Sequence, residues 1–172
     1  MNYQFNFSGK VVMITGGNRG LGRAIAEGFS SLGAITILVW RNVEKLKETE
    51  EAILAKGGKC TKIRADLNVP SQVDDMINSI KSEFGRVDIL INNAGVGHRI
   101  PSIDVTEEQW NTVLDTNLKT PFILSTKIAK EFMIPQNEGK IINSASMGGF
   151  MGIPGSAAYS SSKGGIIQLT RS

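Results

Sequence analysis

Two rhythms of apolar residues alternate along the chain. Short apolar runs rich in β-branched residues read as buried strands, and apolar positions recurring every three or four residues mark amphipathic helices. Lys10 to Thr15 holds the first run, Val11-Val12-Met13-Ile14. Leu21, Ala24, Ile25, Gly28, Phe29 and Leu32 then mark one face of a helix that Gly33 ends. Ala34 to Trp40 is a second run, after which Asn42 can cap a helix reaching Lys56 and closed by Gly57-Gly58. Lys59 to Ala65 reads as a short polar strand suited to a sheet edge. Pro70-Ser71 starts a helix in which Ser71 and Asp74 form a capping-box pattern. Val73, Met76, Ile77, Ile80 and Phe84 keep its inward spacing, and Gly85 stops it. Val87 to Ile91 is the fourth strand. Thr106 with Gln109 is another capping box, opening a helix whose apolar face is Trp110, Val113, Leu114 and Leu118. The helix continues through Ile128 and Phe132 to about Pro135. Gly139 to Ala145 is the fifth strand, and a glycine-rich loop, Met147 to Gly155, leads to a last helix.

Three strand–helix units before Ile91 predict an α/β fold with a parallel sheet and right-handed crossovers. The 172 residues suffice for one domain, 1–172, with a real core. Nineteen basic against sixteen acidic residues, without a long basic run, exclude nucleic acid as an expected partner. The single cysteine, Cys60, allows no disulfide within the chain, and no Cys/His cluster suggests a metal. No amino-terminal leader pattern and no membrane-length apolar stretch is visible, so the expected location is cytoplasmic.

The chemistry begins at Thr15-Gly-Gly-Asn-Arg-Gly-Leu-Gly22, between the first strand and the first helix. Glycines let backbone approach a pyrophosphate, and a helix amino end offers free N–H groups and a positive dipole. An acid at the end of the second strand would bind a ribose 2′-hydroxyl, whereas an arginine would accept a 2′-phosphate. This chain reads Trp40-Arg41-Asn42 there, and Arg19 adds a second cation. The expected cofactor is NADP(H), with NAD(H) as the alternative if both arginines are merely solvated.

Further along, Pro121 removes a helical hydrogen bond and displaces the carbonyl of Asn117. Asn117 should therefore lie at a kink with a free backbone oxygen, or at a plain break between two helices. On the last helix Lys163 follows Tyr159 by one turn, on the same face. A fixed cation near a phenol stabilises the phenolate, and such a pair can exchange a proton with an alcohol or ketone.

Taken together, these motifs resemble the short-chain dehydrogenase/reductase family. The match consists of T-G-x-x-x-G-x-G at Thr15, Gly16, Gly20 and Gly22, Asn92-Asn93-Ala94-Gly95, Asn117, Ser146 and Tyr159-Ser-Ser-Ser-Lys163. It runs from Lys10 to Ser172. The resemblance implies a Rossmann-type doubly wound sheet of order 3-2-1-4-5. It lacks the family's last two strands, as in a carboxyl-terminally truncated chain, whose own activity would then be in doubt. It also implies an oxidoreductase that interconverts a secondary alcohol and a ketone by hydride transfer. Catalysis would fall to Asn117, Ser146, Tyr159 and Lys163, with Ser144 the rival of Ser146 by position. Cofactor contacts would come from Gly16, Asn18, Arg19, Gly20, Leu21, Gly22, Arg41, Asp66, Leu67, Asn93, Ala94, Gly95, Tyr159 and Lys163. Asp66 could equally be a turn residue.

His98 and Arg99, at the mouth of the site by analogy, could bind a carboxylate or be a solvated pair. With Ser146 and Tyr159 they are the expected substrate residues. The flavour is of the sugar-acid oxidoreductases resembling gluconate 5-dehydrogenase. The alternatives are a 3-oxoacyl thioester reductase, with Phe150, Met151 and Ile153 lining the site, and a non-catalytic nucleotide-binding module. A small-molecule alcohol or ketone is the expected ligand, and a homodimer or homotetramer the expected assembly.

Overall fold

A computed structural model describes residues 5–172. Its strands are β1 (Val11–Thr15), β2 (Ile35–Trp40), β3 (Lys59–Arg64), β4 (Ile89–Asn92) and β5 (Lys140–Asn143). All pair in parallel, in the order β3-β2-β1-β4-β5. The helices are α1 (Gly20–Ser31), α2 (Lys47–Ala55), α3 (Pro70–Glu83), α4 (Glu107–Leu114), α5 (Thr120–Ile128), α6 (Ile134–Gln136) and α7 (Ala157–Arg171). The predicted doubly wound order is the observed one.

Successive strand residues face opposite sides, so one run of apolar sequence feeds two cores. Val11, Met13, Ile37 and Val39 pack with Met76, Ile80, Leu124 and Ile128. Val12, Ile14 and Leu38 pack with Ala26, Leu46 and Ile53 on the other side. Each fully buried Ile or Leu contributes about 1.5–3 kcal/mol relative to exposure. β3, at the edge, is only half-buried, as its polar sequence requires.

Some helix ends differ from the sequence expectation. Asn42 caps nothing with its side chain; a 3-10 turn, Val43–Leu46, comes before α2. The Ser71–Asp74 capping box does not form. Pro70 occupies the first helical position, where its missing N–H costs nothing, and this puts Ser71 inside the first turn. The Thr106–Gln109 box closes in both directions, at 3.0 and 3.2 Å. On α1 the buried line is Gly22, Ala26 and Ser30, while Leu21 is 63% exposed. Small residues face the sheet because α1 lies close against it: a β-carbon at Gly22 would stand 2.3 Å from the carbonyl oxygen of Gly16.

Between Glu107 and Gln136 the chain is helical throughout, but with two π segments, Asp115–Lys119 and Ala129–Met133. Each precedes a proline, Pro121 or Pro135. A proline has no N–H for the carbonyl four residues earlier, which is Asn117 in one case and Glu131 in the other. Both residues are the middle position of their π segment. The Thr120 N–H reaches back to Asp115, so the helix widens instead of breaking.

Candidate active site

The first part of the site is a groove at the carboxyl ends of β1, β2 and β4. Its pivot is Thr15, whose hydroxyl oxygen accepts from the backbone N–H of Asn93 and of Ala94, both at 3.0 Å. The Asn93 carboxamide donates to the carbonyls of Thr15 and Gly16, at 3.1 and 3.2 Å. Gly16 has φ +70°, and a β-carbon there would stand 2.9 Å from Ala94 Cα, so only glycine joins the turn to β4 this closely. The groove, ≈ 610 Å³, runs along Gly16, Asn18–Gly22, Trp40, Glu44, Lys45, Glu48 and Asn93–Gly95. A β-carbon at Gly20 would meet nothing within 4 Å, which leaves room over the amino end of α1. No acidic side chain occupies the first turn of α1.

A smaller pocket of ≈ 100 Å³ adjoins it, walled by Trp40, Arg41, Asp66, Leu67 and Asn68 and closed by Val96, Thr116 and Thr120. Asp66 serves as a turn residue and also as pocket wall. Its carboxylate accepts from the Asn68 N–H at 3.0 Å, and Asn68 in turn accepts from the Thr120 hydroxyl at 2.8 Å. Arg19 and Arg41 are exposed and pair with no carboxylate among the described residues. Sequence reading missed Glu44, Lys45 and Glu48. They enter the groove from the turn and helix after β2, where their pattern is that of any solvated helix.

The second part lies where α7 meets the ends of β4 and β5. Lys163 is 6% exposed, and its ammonium donates to the carbonyl of Ser144 at 2.6 Å. The same nitrogen is 5.8 Å from the centre of the Tyr159 ring. No carboxylate pairs with it among the described residues, and burial pushes its pKa below the ordinary lysine value. A buried lysine without a carboxylate beside it is costly to keep, which makes this position a candidate functional site. β5 itself ends at Asn143, and Ser146 lies beyond it in extended conformation, its Oγ accepting from the Gly148 N–H at 3.2 Å. A close-packed glycine, Gly149, seats this loop on α7: a β-carbon there would stand 2.5 Å from the Lys163 carbonyl oxygen.

Asn117 is 1% exposed, and its side chain is fully engaged. Its Oδ1 accepts from the Val96 N–H at 2.9 Å, and its Nδ2 donates to the Val96 carbonyl at 2.8 Å and to the Ser162 hydroxyl at 3.1 Å. His98 and Arg99 follow in the same loop. Arg99 is exposed, whereas the His98 Nε2 is buried without a hydrogen-bond partner among the described residues, in a pocket shared with Thr106, Gln109 and Val113 of the α4 side.

Comparison with known proteins fits this geometry. The family model described as short chain dehydrogenase matches residues 10–172. A 2-dehydro-3-deoxy-D-gluconate 5-dehydrogenase of Dickeya dadantii is 37% identical over 97% of this chain and 65% of its own length. A 3-oxoacyl-(acyl-carrier-protein) reductase of Synechocystis is 34% identical over 94% of this chain and 66% of its own. Among solved structures, a metagenomic short-chain oxidoreductase in complex with NADP superposes with a TM-score of 0.92. That protein is 37% identical, with 96% of this chain and 75% of its own covered. The chain thus spans about two thirds, 65%, of the length of the curated relatives it matches.

Proposed function

The chain belongs to the short-chain dehydrogenase family, and from that premise we propose that it carries the cofactor groove and catalytic group of an oxidoreductase. The reaction is hydride transfer between NADP(H) and a secondary alcohol or its ketone. The observation that carries this reading is Lys163, buried beside the Tyr159 ring with no carboxylate among the described residues, its Nζ 3.9 Å from where a β-carbon on the groove residue Gly95 would stand.

The residues present fit a dinucleotide. Gly20 leaves open room over the amino end of α1, and Gly16 and Gly22 let the turn lie close to β4 and α1. The nicotinamide cofactor supplies the carbon that gives or takes the hydride. Arg41 beside Asp66 and Leu67, with Arg19 across the groove, supports a 2′-phosphate and hence NADP(H) over NAD(H). Asn93, Ala94 and Gly95 wall the nicotinamide end.

On the substrate side, the Tyr159 hydroxyl gives its proton to the oxygen that becomes the alcohol. Lys163 holds positive charge beside it and a donor for the ribose. The Ser146 hydroxyl donates to the substrate oxygen and stabilises the developing alkoxide. The Asn117 carbonyl, with no Pro121 N–H to claim it, is offered to a water on the Lys163 side. For substrate we propose a sugar acid, following the name of the gluconate-type relative, with His98 and Arg99 on its carboxylate. The 3-oxoacyl relative and the exposed Phe150 and Met151 support a thioester as the second reading. We further propose a cytoplasmic homo-oligomer; among the described residues no helix is long and apolar enough to cross a membrane.

The test is Tyr159→Phe in the full chain. Turnover should fall by about 10²–10⁴. Cofactor binding, followed by nucleotide fluorescence, should be unchanged because the glycine turn is untouched. Near-normal turnover would sink the mechanism, and binding without turnover in the wild type would favour a non-catalytic nucleotide module.

A further inference from the structure

Ser162 lies between the two proposed catalytic side chains of α7 and is completely buried, at 0% exposure. Its hydroxyl donates to the carbonyl of Tyr159 at 2.7 Å. With its proton committed there, Ser162 meets Asn117 as an acceptor, taking one Nδ2 proton at 3.1 Å. The other Nδ2 proton goes to the Val96 carbonyl, and Oδ1 takes the Val96 N–H. The carboxamide has only this orientation. Turned over, it would set Oδ1 against the Val96 carbonyl and Nδ2 against the Val96 N–H, two like-with-like contacts.

The residue after Val96 closes the path. A β-carbon at Gly97 would stand 2.9 Å from Cδ2 of Tyr159 and 3.4 Å from its Cγ, so the Gly97 backbone lies directly on the phenol ring. The far end of the same loop is also held, the Ile100 N–H donating to the Gly155 carbonyl at 2.8 Å. The contacts therefore form a closed circuit: Tyr159 carbonyl, Ser162 hydroxyl, Asn117 carboxamide, Val96 backbone, Gly97, Tyr159 ring. It starts and ends on one residue.

We infer that Ser162 is a positioning residue for Tyr159: it fixes the Asn117 carboxamide, and through Val96 and Gly97 that carboxamide fixes the phenol ring. This rests on the oxidoreductase reading for its consequence in turnover, but not for its structural content. Ser162 lines neither the groove nor the smaller pocket beside it, so its loss reaches the ring through Asn117, Val96 and Gly97. Losing the hydroxyl leaves one buried carboxamide proton without its acceptor and removes one of the three bonds that hold Asn117, which loosens the loop over the ring.

Two measurements on Ser162→Ala in the full chain test this. Hydrogen–deuterium exchange at the Val96 amide, which Asn117 holds, should quicken while the strands β1, β2 and β4 exchange as in the wild type. Exchange unchanged at Val96 overturns the inference. This measurement needs no turnover, so it stands even if no alcohol is a substrate and the oxidoreductase reading fails. In turnover, kcat should fall by about tenfold to a hundredfold, the scale of a small misplacement of a reacting group, with cofactor affinity kept. In an Asn117→Ala background the further effect of Ser162→Ala should vanish. An equal loss in that background would mean that Ser162 only packs α7, and would overturn the inference. Should the alanine variant fail to fold, Ser162→Cys keeps the volume with a weak hydrogen-bonding group and gives the same outcomes in the same directions.

Discussion

Arg41 and Lys163 are cations placed in opposite ways, and the contrast suits them to the different roles proposed for them. Arg41 is exposed just after β2, a permanently charged and weakly hydrated guanidinium ready to meet an anion. Lys163 is desolvated, has a carbonyl instead of a carboxylate for company, and loses its charge at lower pH than a surface lysine does. A lysine so placed passes a proton readily; an arginine so placed would not. Arg41→Asp should weaken NADPH binding by about 10–100-fold, the range for losing a charge-assisted hydrogen bond, and shift preference towards NADH. Titrating both nucleotides by fluorescence checks it, and an unaltered ratio would show that Glu44, Lys45 and Glu48 set the field of the groove instead. At this scale the sequence exposed what local spacing controls. Tyr159 and Lys163, one turn apart, and the glycines of the first turn were readable without coordinates. Ser162 was not, since the amide it accepts from, that of Asn117, is distant in sequence and nothing local marks a serine as an acceptor for a particular amide.

Elements meet at the end of the sheet away from the groove through one carboxylate. Asp88 is 4% exposed, just ahead of β4, and accepts from the Val11 N–H at the start of β1 at 2.8 Å. Arg86 and Lys10 also donate to it, and Lys10 continues to Glu138 ahead of β5. Burial alone would raise the Asp88 pKa, but Arg86, the Val11 amide and Lys10 outweigh it and hold the carboxyl below its ordinary value. The folded state therefore binds fewer protons than the unfolded one in that interval. The stabilisation is complete above about pH 4, the unfolded value, and is lost as pH falls towards the folded one. Asp88→Asn should cost roughly 1–3 kcal/mol at neutral pH, and the variant's stability should fall less steeply than the wild type's below about pH 4. Urea melts at several pH values measure both, and parallel acid limbs would rule the linkage out. The strands were legible because apolar runs alternate with helical periods, and their order because the motifs resemble a family that has it. Helix beginnings were less so: Ser71 and Asp74 have the spacing of a box, but Pro70 takes the first helical position and the geometry is gone.

For the whole molecule, the surface left on the Glu107–Gln136 rod carries a prediction. Trp110 is 38%, Phe122 48% and Ile134 72% exposed, all on that rod. Such residues on one element fit a second copy of the chain across a two-fold axis, which would bury each patch on both sides at once. Light scattering of the full chain at micromolar concentration should give a dimer or tetramer, and a clean monomer would refute the assembly. The rod's two widened turns also alter how its faces are counted. An α-helix advances about 100° per residue, and each turn closed by an i→i+5 bond takes up one residue more than the α pattern allows. Each therefore rotates everything beyond it by about that angle. Val113, Asn117, Pro121, Leu124, Ile128 and Phe132, all buried, follow in steps of four, four, three, four and four, and both widened turns fall within that series. Across both widened turns the helical stretch keeps Val113, Leu124 and Phe132 buried, and Asn117, in the middle of the first, faces Val96 and Ser162 of α7.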